Sequence, residues 1–206
     1  MPGWSVVVPV KRLEVAKTRL RPAVAPSQHA ALVLALCRDT VEAARGCAAV
    51  ARVLAVTDDP QAAAALLGLG VSVVADEPDH GLNPALTHGA AAAKAAAPNE
   101  PVAVLSSDLP ALRGDELAEA LRAAESHARA FVSDADGRGT TLLTAAVGHC
   151  LRPAYGPNSR AAHAASGATE LDGAWPSLRR DVDTPADLAA AAVLGLGAHT
   201  TAVLRR

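Results

Sequence analysis

Three acidic side chains and one basic stretch are the residues of this chain whose types and spacing best suit chemistry. Toward the C-terminus runs Leu178-Arg179-Arg180-Asp181-Val182-Asp183-Thr184-Pro185. In an extended segment side chains alternate, so Asp181 and Asp183 project from the same face. Two carboxylates on one face repel unless something positive lies between them. A magnesium ion would resolve the repulsion, and so would Arg179 or Arg180. Thr184 through Asp187 have a structural account of their own: Thr184 suits a helix N-cap, Pro185 the first helical position and Asp187 the positive end of the helix. That account leaves Asp181 and Asp183 unexplained. The third acid, Asp108, follows the apolar run Val102-Ala103-Val104-Leu105 and two serines. At the end of a buried strand it could hold a divalent cation against phosphate groups, or it could open the turn that contains Pro110.

The positive groups sit near the other terminus. Lys11, Arg12, Lys17 and Arg19 follow the apolar run Val6-Val7-Val8-Pro9-Val10. They could neutralise a polyphosphate through charge-assisted hydrogen bonds, or they could form an exposed basic helix start. Two further segments suit anions. Thr140 and Thr141, after Gly137-Arg138-Gly139, are either plain strand residues or donors to an anion. Tyr155-Gly156-Pro157-Asn158-Ser159-Arg160 leads into a helical stretch. Free N–H groups there, beside Ser159 and Arg160, would make a compact phosphate or carboxylate site; an ordinary capped helix is the alternative. In Asp79-His80-Gly81-Leu82-Asn83-Pro84, Asn83 caps a helix or reads a nucleobase edge. No P-loop is present, and no G-x-G-x-x-G opens a helix after a strand. Gly68 and Gly70 precede a strand and read as a helix C-cap.

The elements that must position these residues alternate along the chain. Short apolar runs predict strands over 5–10, 50–56, 71–75, 102–105, 130–133 and 141–147. Alanine-rich stretches predict helices over 27–44, 60–67, 84–97, 115–126, 158–166 and 185–194. Strands that are apolar throughout and alternate with helices predict a three-layer α/β/α architecture around a mostly parallel sheet. In such sheets ligands bind beyond the carboxyl ends of the strands, where Lys11 and Asp108 fall.

At 206 residues the chain reads as one domain, 1–206, since domains run to roughly 100–200 residues. Half of it is hydrophobic, much of that alanine, and no stretch offers the roughly 20 bulky apolar residues of a membrane span. Met1-Pro2-Gly3-Trp4 enters a strand without signal-peptide features, so a cytoplasmic location is expected. A formal charge of −2 and 2% aromatics speak against nucleic-acid binding, which needs a broad basic surface or stacking platform. Cys37, Cys47 and Cys150 show no C-x-x-C spacing and are expected to be buried small hydrophobes.

Together these segments resemble the phosphoenolpyruvate or 2-phospholactate guanylyltransferases that make the deazaflavin carrier coenzyme F420. The resemblance is carried by VVPVKRLEVAKTRL from Val7, GLNPAL from Gly81, SSDLPAL from Ser106, GTTLL from Gly139, YGPNSRAAHAASGA from Tyr155 and RRDVDTPADL from Arg179. It implies a nucleotidyltransferase fold similar to that of molybdenum-cofactor guanylyltransferases, with the glycine-rich nucleotide loop of those enzymes replaced by a Lys/Arg-rich one. It implies magnesium ligands at Asp108, Asp181 and Asp183, with Lys17 in the catalytic set. It implies that Thr141, Gly156 and Ser159 hold a phosphorylated three-carbon acid, and that Lys11, Lys17 and Arg19 face the phosphates of GTP, with Asn83 and Asp108 also on the nucleotide. The overall pattern looks most like members that use phosphoenolpyruvate. A downstream enzyme that receives the labile product is the implied protein partner. The rival readings are transfer to a sugar phosphate or pterin cofactor, and a nucleotide-binding regulatory module, since fold alone does not fix function.

Overall fold

Valine-rich and alanine-rich runs separate into strands and helices in a computed structural model of the chain, which describes residues 3–77 and 80–205. Asp79 and the outermost residues of the expected 1–206 domain lie outside the described residues. The strands are β1 (Trp4–Pro9), β2 (Val50–Val56), β3 (Ser72–Val74), β4 (Val102–Leu105), β5 (Arg129–Ser133), β6 (Thr140–Ala145) and β7 (Thr169–Glu170). The helices are α1 (His29–Gly46), α2 (Pro60–Gly68), α3 (Leu82–Ala96), α4 (Gly114–Ala124), α5 (Ser159–Ala165), α6 (Pro176–Arg179), α7 (Pro185–Leu194) and α8 (Ala198–Leu204). None is long and apolar enough to cross a membrane.

The strands form one sheet in the order β3-β2-β1-β4-β6-β5-β7. Pairing is parallel from β3 through β4 and between β5 and β7, as a mostly parallel sheet requires. One strand departs from this: β6 is antiparallel to both β4 and β5. The cause is the short 134–139 turn, which can join only antiparallel neighbours, since a parallel return needs a crossover of a dozen or more residues.

Alternation along the central strand sorts side chains into two cores. Val6 and Val8 join Val33, Cys37 and Val41 of α1 and Leu117 and Leu121 of α4. Val7, between them, joins Ala85, Leu86, Ala90 and Ala93 of α3 on the opposite face. The sheet is thus covered on both sides. Helix α3 comes especially close because Gly89 has no side chain: a Cβ there would lie 2.5 Å from Cγ2 of Val56 and 2.7 Å from Cγ1 of Val7. Gly89→Ala would gain roughly 1 kcal/mol of helix propensity but overpack this contact at a cost of about 1–3 kcal/mol. Net destabilisation is expected, read as a lower urea midpoint at unchanged slope. A midpoint at or above that of the wild type would mean that α3 can lift off the sheet freely.

Local signals account for several element ends. Asp59 caps α2 by accepting from Gln61 and Ala62 N–H at 3.0 and 2.9 Å, ahead of Pro60. Gly70, at φ +72°, ends α2 with Gly70 N–H to Leu67 O and Val71 N–H to Leu66 O, the glycine C-cap expected there. Thr184 and Asp187 form a reciprocal capping box at the start of α7. Elements β7 and α8 lie in stretches where periodicity predicted nothing, whereas α6 forms at Pro176–Arg179, where the Gly- and Pro-containing 171–177 stretch reads as a loop and 178–185 as extended. Helix α8 is held by α1, whose Asp39 carboxylate accepts from His199 and Thr200 N–H at 2.9 and 2.8 Å. Cys37 and Cys47 are buried as expected, but Cys150 is exposed, since the chain leaves the sheet after Ala145 and residues 147–150 run along the surface.

Candidate active site

The carboxyl ends of β1 and β4 open into a cleft of about 610 Å³ whose walls include Lys11, Lys17, Arg19, Asp108, Tyr155 and Asp183. Strand β4 delivers Asp108 through two serines, and Leu109 N–H donates to the Thr40 hydroxyl of α1 at 2.9 Å, fixing the turn. The C-terminal acids reach the same point by a backbone bond: Val182 N–H donates to the Asp108 carbonyl at 3.0 Å. Val182 itself is fully buried among Leu20, Leu36 and Leu188. With Val182 turned inward, Asp181 and Asp183 flank it, the first half-buried and the second exposed.

The basic loop is tied down from beneath. Leu13 N–H donates to the Asp59 carboxylate at 2.9 Å, and a His29 ring nitrogen donates to the Ala16 carbonyl at 2.9 Å. Burial works against ionisation of Asp59, but the N–H groups of Ala62, Leu13 and Gln61 outweigh it and hold its pKa below the ordinary value. The loop ends at Lys17 in the left-handed region, φ 52° and ψ 41°. This turn carries the Lys17 ammonium between the Asp108 and Asp183 carboxylates, and it hydrogen-bonds both. Burial alone would lower its pKa, yet the two carboxylates reverse the effect and raise it, so the amine stays charged.

Asp181 responds in the opposite sense. Burial comes first and the negative charge of Asp108 second; Lys17 offsets them only in part, and the carboxyl is pushed up to about 7. All three acids therefore act on one another at one end of the sheet. Oδ1 of Asp108 is buried and has no hydrogen-bond partner. A carboxylate oxygen in that state suits a cation ligand, but among the described residues the three carboxylates are not gathered around one point, and the Lys17 ammonium stands between Asp108 and Asp183.

The structure also revises the sequence reading. Neither arginine beside the C-terminal acids relieves their repulsion. The Arg179 guanidinium is spent on Ser133, Leu171 and Gly173, and Arg180 faces Asp136 and Asp187 at 3.8 and 3.6 Å. Lys17, read as a phosphate-side cation, bridges Asp108 and Asp183, and with Lys11 and Arg19 it lines the cleft. Asn83 does not cap its helix, because α3 begins a residue earlier with Gly81 at φ +99° as its cap. Its amide accepts from Tyr155 N–H at 2.8 Å and donates to Tyr155 O at 2.9 Å, and so clamps the 155–158 loop to α3. Arg160 turns away from the start of α5 to pair with Glu170 at 2.9 Å.

Thr141 on β6 and Gly156 and Ser159 at the start of α5 are not among the residues that wall the cleft, to which this part of the chain contributes Tyr155 and Pro157. Thr141 is buried next to the exit of β4, its carbonyl accepting from Ser106 N–H at 2.8 Å, and its hydroxyl has no partner. Gly156, at φ +147°, accepts from Ser159 N–H at 3.1 Å, and the Ser159 hydroxyl donates to that of Thr140 at 3.3 Å. Tyr155 is a cleft residue that motif reading passed over, although it stands directly before Gly156.

The same mostly parallel, doubly covered sheet is found in solved nucleotidyltransferases. A nucleotidyl transferase from Methanothermobacter thermautotroptrophicus superposes with a TM-score of 0.61 at 20% identity, covering 93% of this chain and 97% of its own. The 4-diphosphocytidyl-2C-methyl-D-erythritol synthase structure gives a TM-score of 0.62 at 12% identity, covering 94% and 99%. Residues 4–206 match the family described as "Guanylyl transferase CofC like", and the chain belongs to it. Among its relatives, the phosphoenolpyruvate guanylyltransferase of Geodermatophilus obscurus is 59% identical over 98% of this chain and 94% of its own length. That of Thermomonospora curvata is 58% identical over 98% and 89%.

Proposed function

We propose that this guanylyltransferase family member moves the guanylyl group of GTP to phosphoenolpyruvate, releasing pyrophosphate and forming enolpyruvoyl-2-diphospho-5'-guanosine for coenzyme F420 synthesis. The observation that carries the reading is the meeting of Asp108, Asp181, Asp183 and Lys17 at the mouth of the sheet, in a chain whose relatives bear that activity in their names.

A phosphate oxygen of the acid attacks the α-phosphorus of GTP, forming one P–O bond as the bond to the β-phosphate oxygen breaks. The acid's phosphate is already ionised at neutral pH, so no general base is needed. Catalysis is then alignment and charge stabilisation. Lys11 and Arg19 face the nucleotide phosphates, and Lys17 stabilises the charge that collects on departing pyrophosphate. Thr141, Gly156 and Ser159 hold the acid; the unpartnered, buried Thr141 hydroxyl supports that role. Asp108, Asp181 and Asp183 would hold magnesium, which when bound supplies Lewis-acid stabilisation of phosphate charge. The unpartnered oxygen of Asp108 is what supports the fit.

The test is pyrophosphate release from GTP and magnesium with phosphoenolpyruvate, 2-phospho-L-lactate or 3-phosphoglycerate. Release with phosphoenolpyruvate, dependent on magnesium and on guanine, is expected; turnover of sugar phosphates or of all four nucleoside triphosphates would overturn the assignment. In the same assay Ser159→Ala should raise KM for the acid by about 10-fold and leave that for GTP nearly unchanged. The reverse pattern would move the acid's site elsewhere.

A further inference from the structure

Thr141, Gly156 and Ser159 come from three separate segments: β6, the loop after residue 154, and the first turn of α5. One side chain reaches all three. His163, on α5, is fully buried at 0% exposure. Its Nε2 accepts from Ala154 N–H at 2.9 Å, and a ring nitrogen that accepts carries no proton. The proton of the neutral ring is therefore on Nδ1, which donates to the Thr140 hydroxyl oxygen at 2.9 Å. The same oxygen accepts from Ser159 at 3.3 Å. The ring is also wedged sideways, edge-on to Tyr155 with centroids 5.0 Å apart and against Phe131 at 5.9 Å.

Burial, helped by the charge of Arg129, lowers the His163 pKa to about 4. The ring therefore keeps its acceptor nitrogen throughout the neutral range. A second N–H at Nε2 would point straight at that of Ala154.

We propose that His163 is a positioning residue: its imidazole sets the spacing among Thr141, Gly156 and Ser159, and thereby the affinity for the three-carbon acid, without touching it. Ala154 stands two residues before Gly156, Thr140 one before Thr141, and Ser159 one turn before His163 on the same helix. Both ring nitrogens are satisfied, as burial demands, and the partners they take are the segments that carry the three residues. The inference rests on the acid binding at these three residues.

Its test uses two variants that break the same network from opposite ends. His163→Phe keeps an aromatic ring against Tyr155 and Phe131 but removes both hydrogen bonds. Thr140→Val is close to isosteric and removes only the shared hydroxyl. In steady-state assays with GTP, magnesium and phosphoenolpyruvate, KM for the acid should rise on the order of 10-fold in each, with KM for GTP within about 2-fold of wild type. The double variant should be no worse than His163→Phe, because both changes cut one chain of bonds. An unchanged KM for the acid overturns the inference, and so does an equal rise for both substrates, which would mark a purely structural residue. Should His163→Phe fail to fold, Thr140→Val decides alone. Wild-type protein that turns over none of the acids overturns the functional reading and this inference with it; active wild type beside unaltered variants overturns only the inference.

Discussion

Asp183→Asn should all but abolish guanylyl transfer while leaving the folded chain intact. The Asp183 side chain is 55% exposed and pairs with the Lys17 ammonium. An ion pair with that much solvent access contributes roughly 0–1 kcal/mol to stability, and Asn keeps the size and one of the oxygens. The backbone at this point is held independently, by Asp183 N–H to Asp187 at 3.2 Å and by the α7 capping box. Folding should therefore hardly notice the change. Chemistry should, because the substitution removes a full negative charge from the cluster proposed to hold magnesium against the phosphates. Loss of a pre-organised electrostatic contact costs on the order of 10²–10³-fold in kcat, and loss of a metal-ligand charge falls at or beyond the top of that range. Thermal melting and kcat measured on one preparation separate the two effects. A variant with near-normal kcat would remove Asp183 from the mechanism, and one that melts far below wild type would show that the pair with Lys17 is structural.

Asp181→Asn should disable the enzyme and stabilise it. In the folded chain the Asp181 carboxyl sits at about 7, against an ordinary value of 3.8, because of burial first and Asp108 second. A folded-state pKa above the unfolded one means that the native protein holds the proton longer. The group's stabilising contribution is complete below about pH 4 and is lost as pH rises through 7. Asparagine has no proton to lose. In protein stripped of divalent ions by a chelator, variant and wild type should melt alike near pH 4. Near pH 8 the variant should lead by an amount on the order of a few kcal/mol, or several °C in Tm. Turnover should fall by on the order of 10²-fold or more with magnesium present. A wild-type lead at pH 8 would mean that Lys17 stabilises the ionised carboxylate more than burial penalises it.

This opposition between stability and activity bears on what could be read from sequence. That Asp181 and Asp183 share a face was expected from an extended chain, but α6 runs to Arg179 and the chain bends at Asp183, so that alternation is not what places them; the strand and helix runs that deliver Asp108 and the Thr184 cap were legible. What relieves the acids was not. Lys17 resembles Lys11 and Arg19 in sequence, and only a left-handed turn at Lys17, with the loop pinned to Asp59 and His29, sends that one amine across the cleft. Such a contact joins residues 91 and 166 positions apart, beyond the reach of any local pattern. The cap reading of Asn83 failed for a related reason: its side chain answers a loop 72 residues away, not its own helix. The reversed direction of β6 was hidden as well, since apolar runs report burial and not direction.

The place of β6 also bears on how the chain is made. Strands β4 and β5 stand one strand apart, and the strand that fills the gap follows both in sequence. Until residues 140–145 emerge during synthesis, Val102–Leu105 and the apolar middle of β5 each present an open row of N–H and C=O groups on the side facing the gap. That interval is when the nascent chain is most exposed to pairing with another copy. The hairpin that ends it also delivers Thr140 and Thr141 beside Ser106, so the gap in the sheet closes in the same step that brings these two threonines to the end of β4.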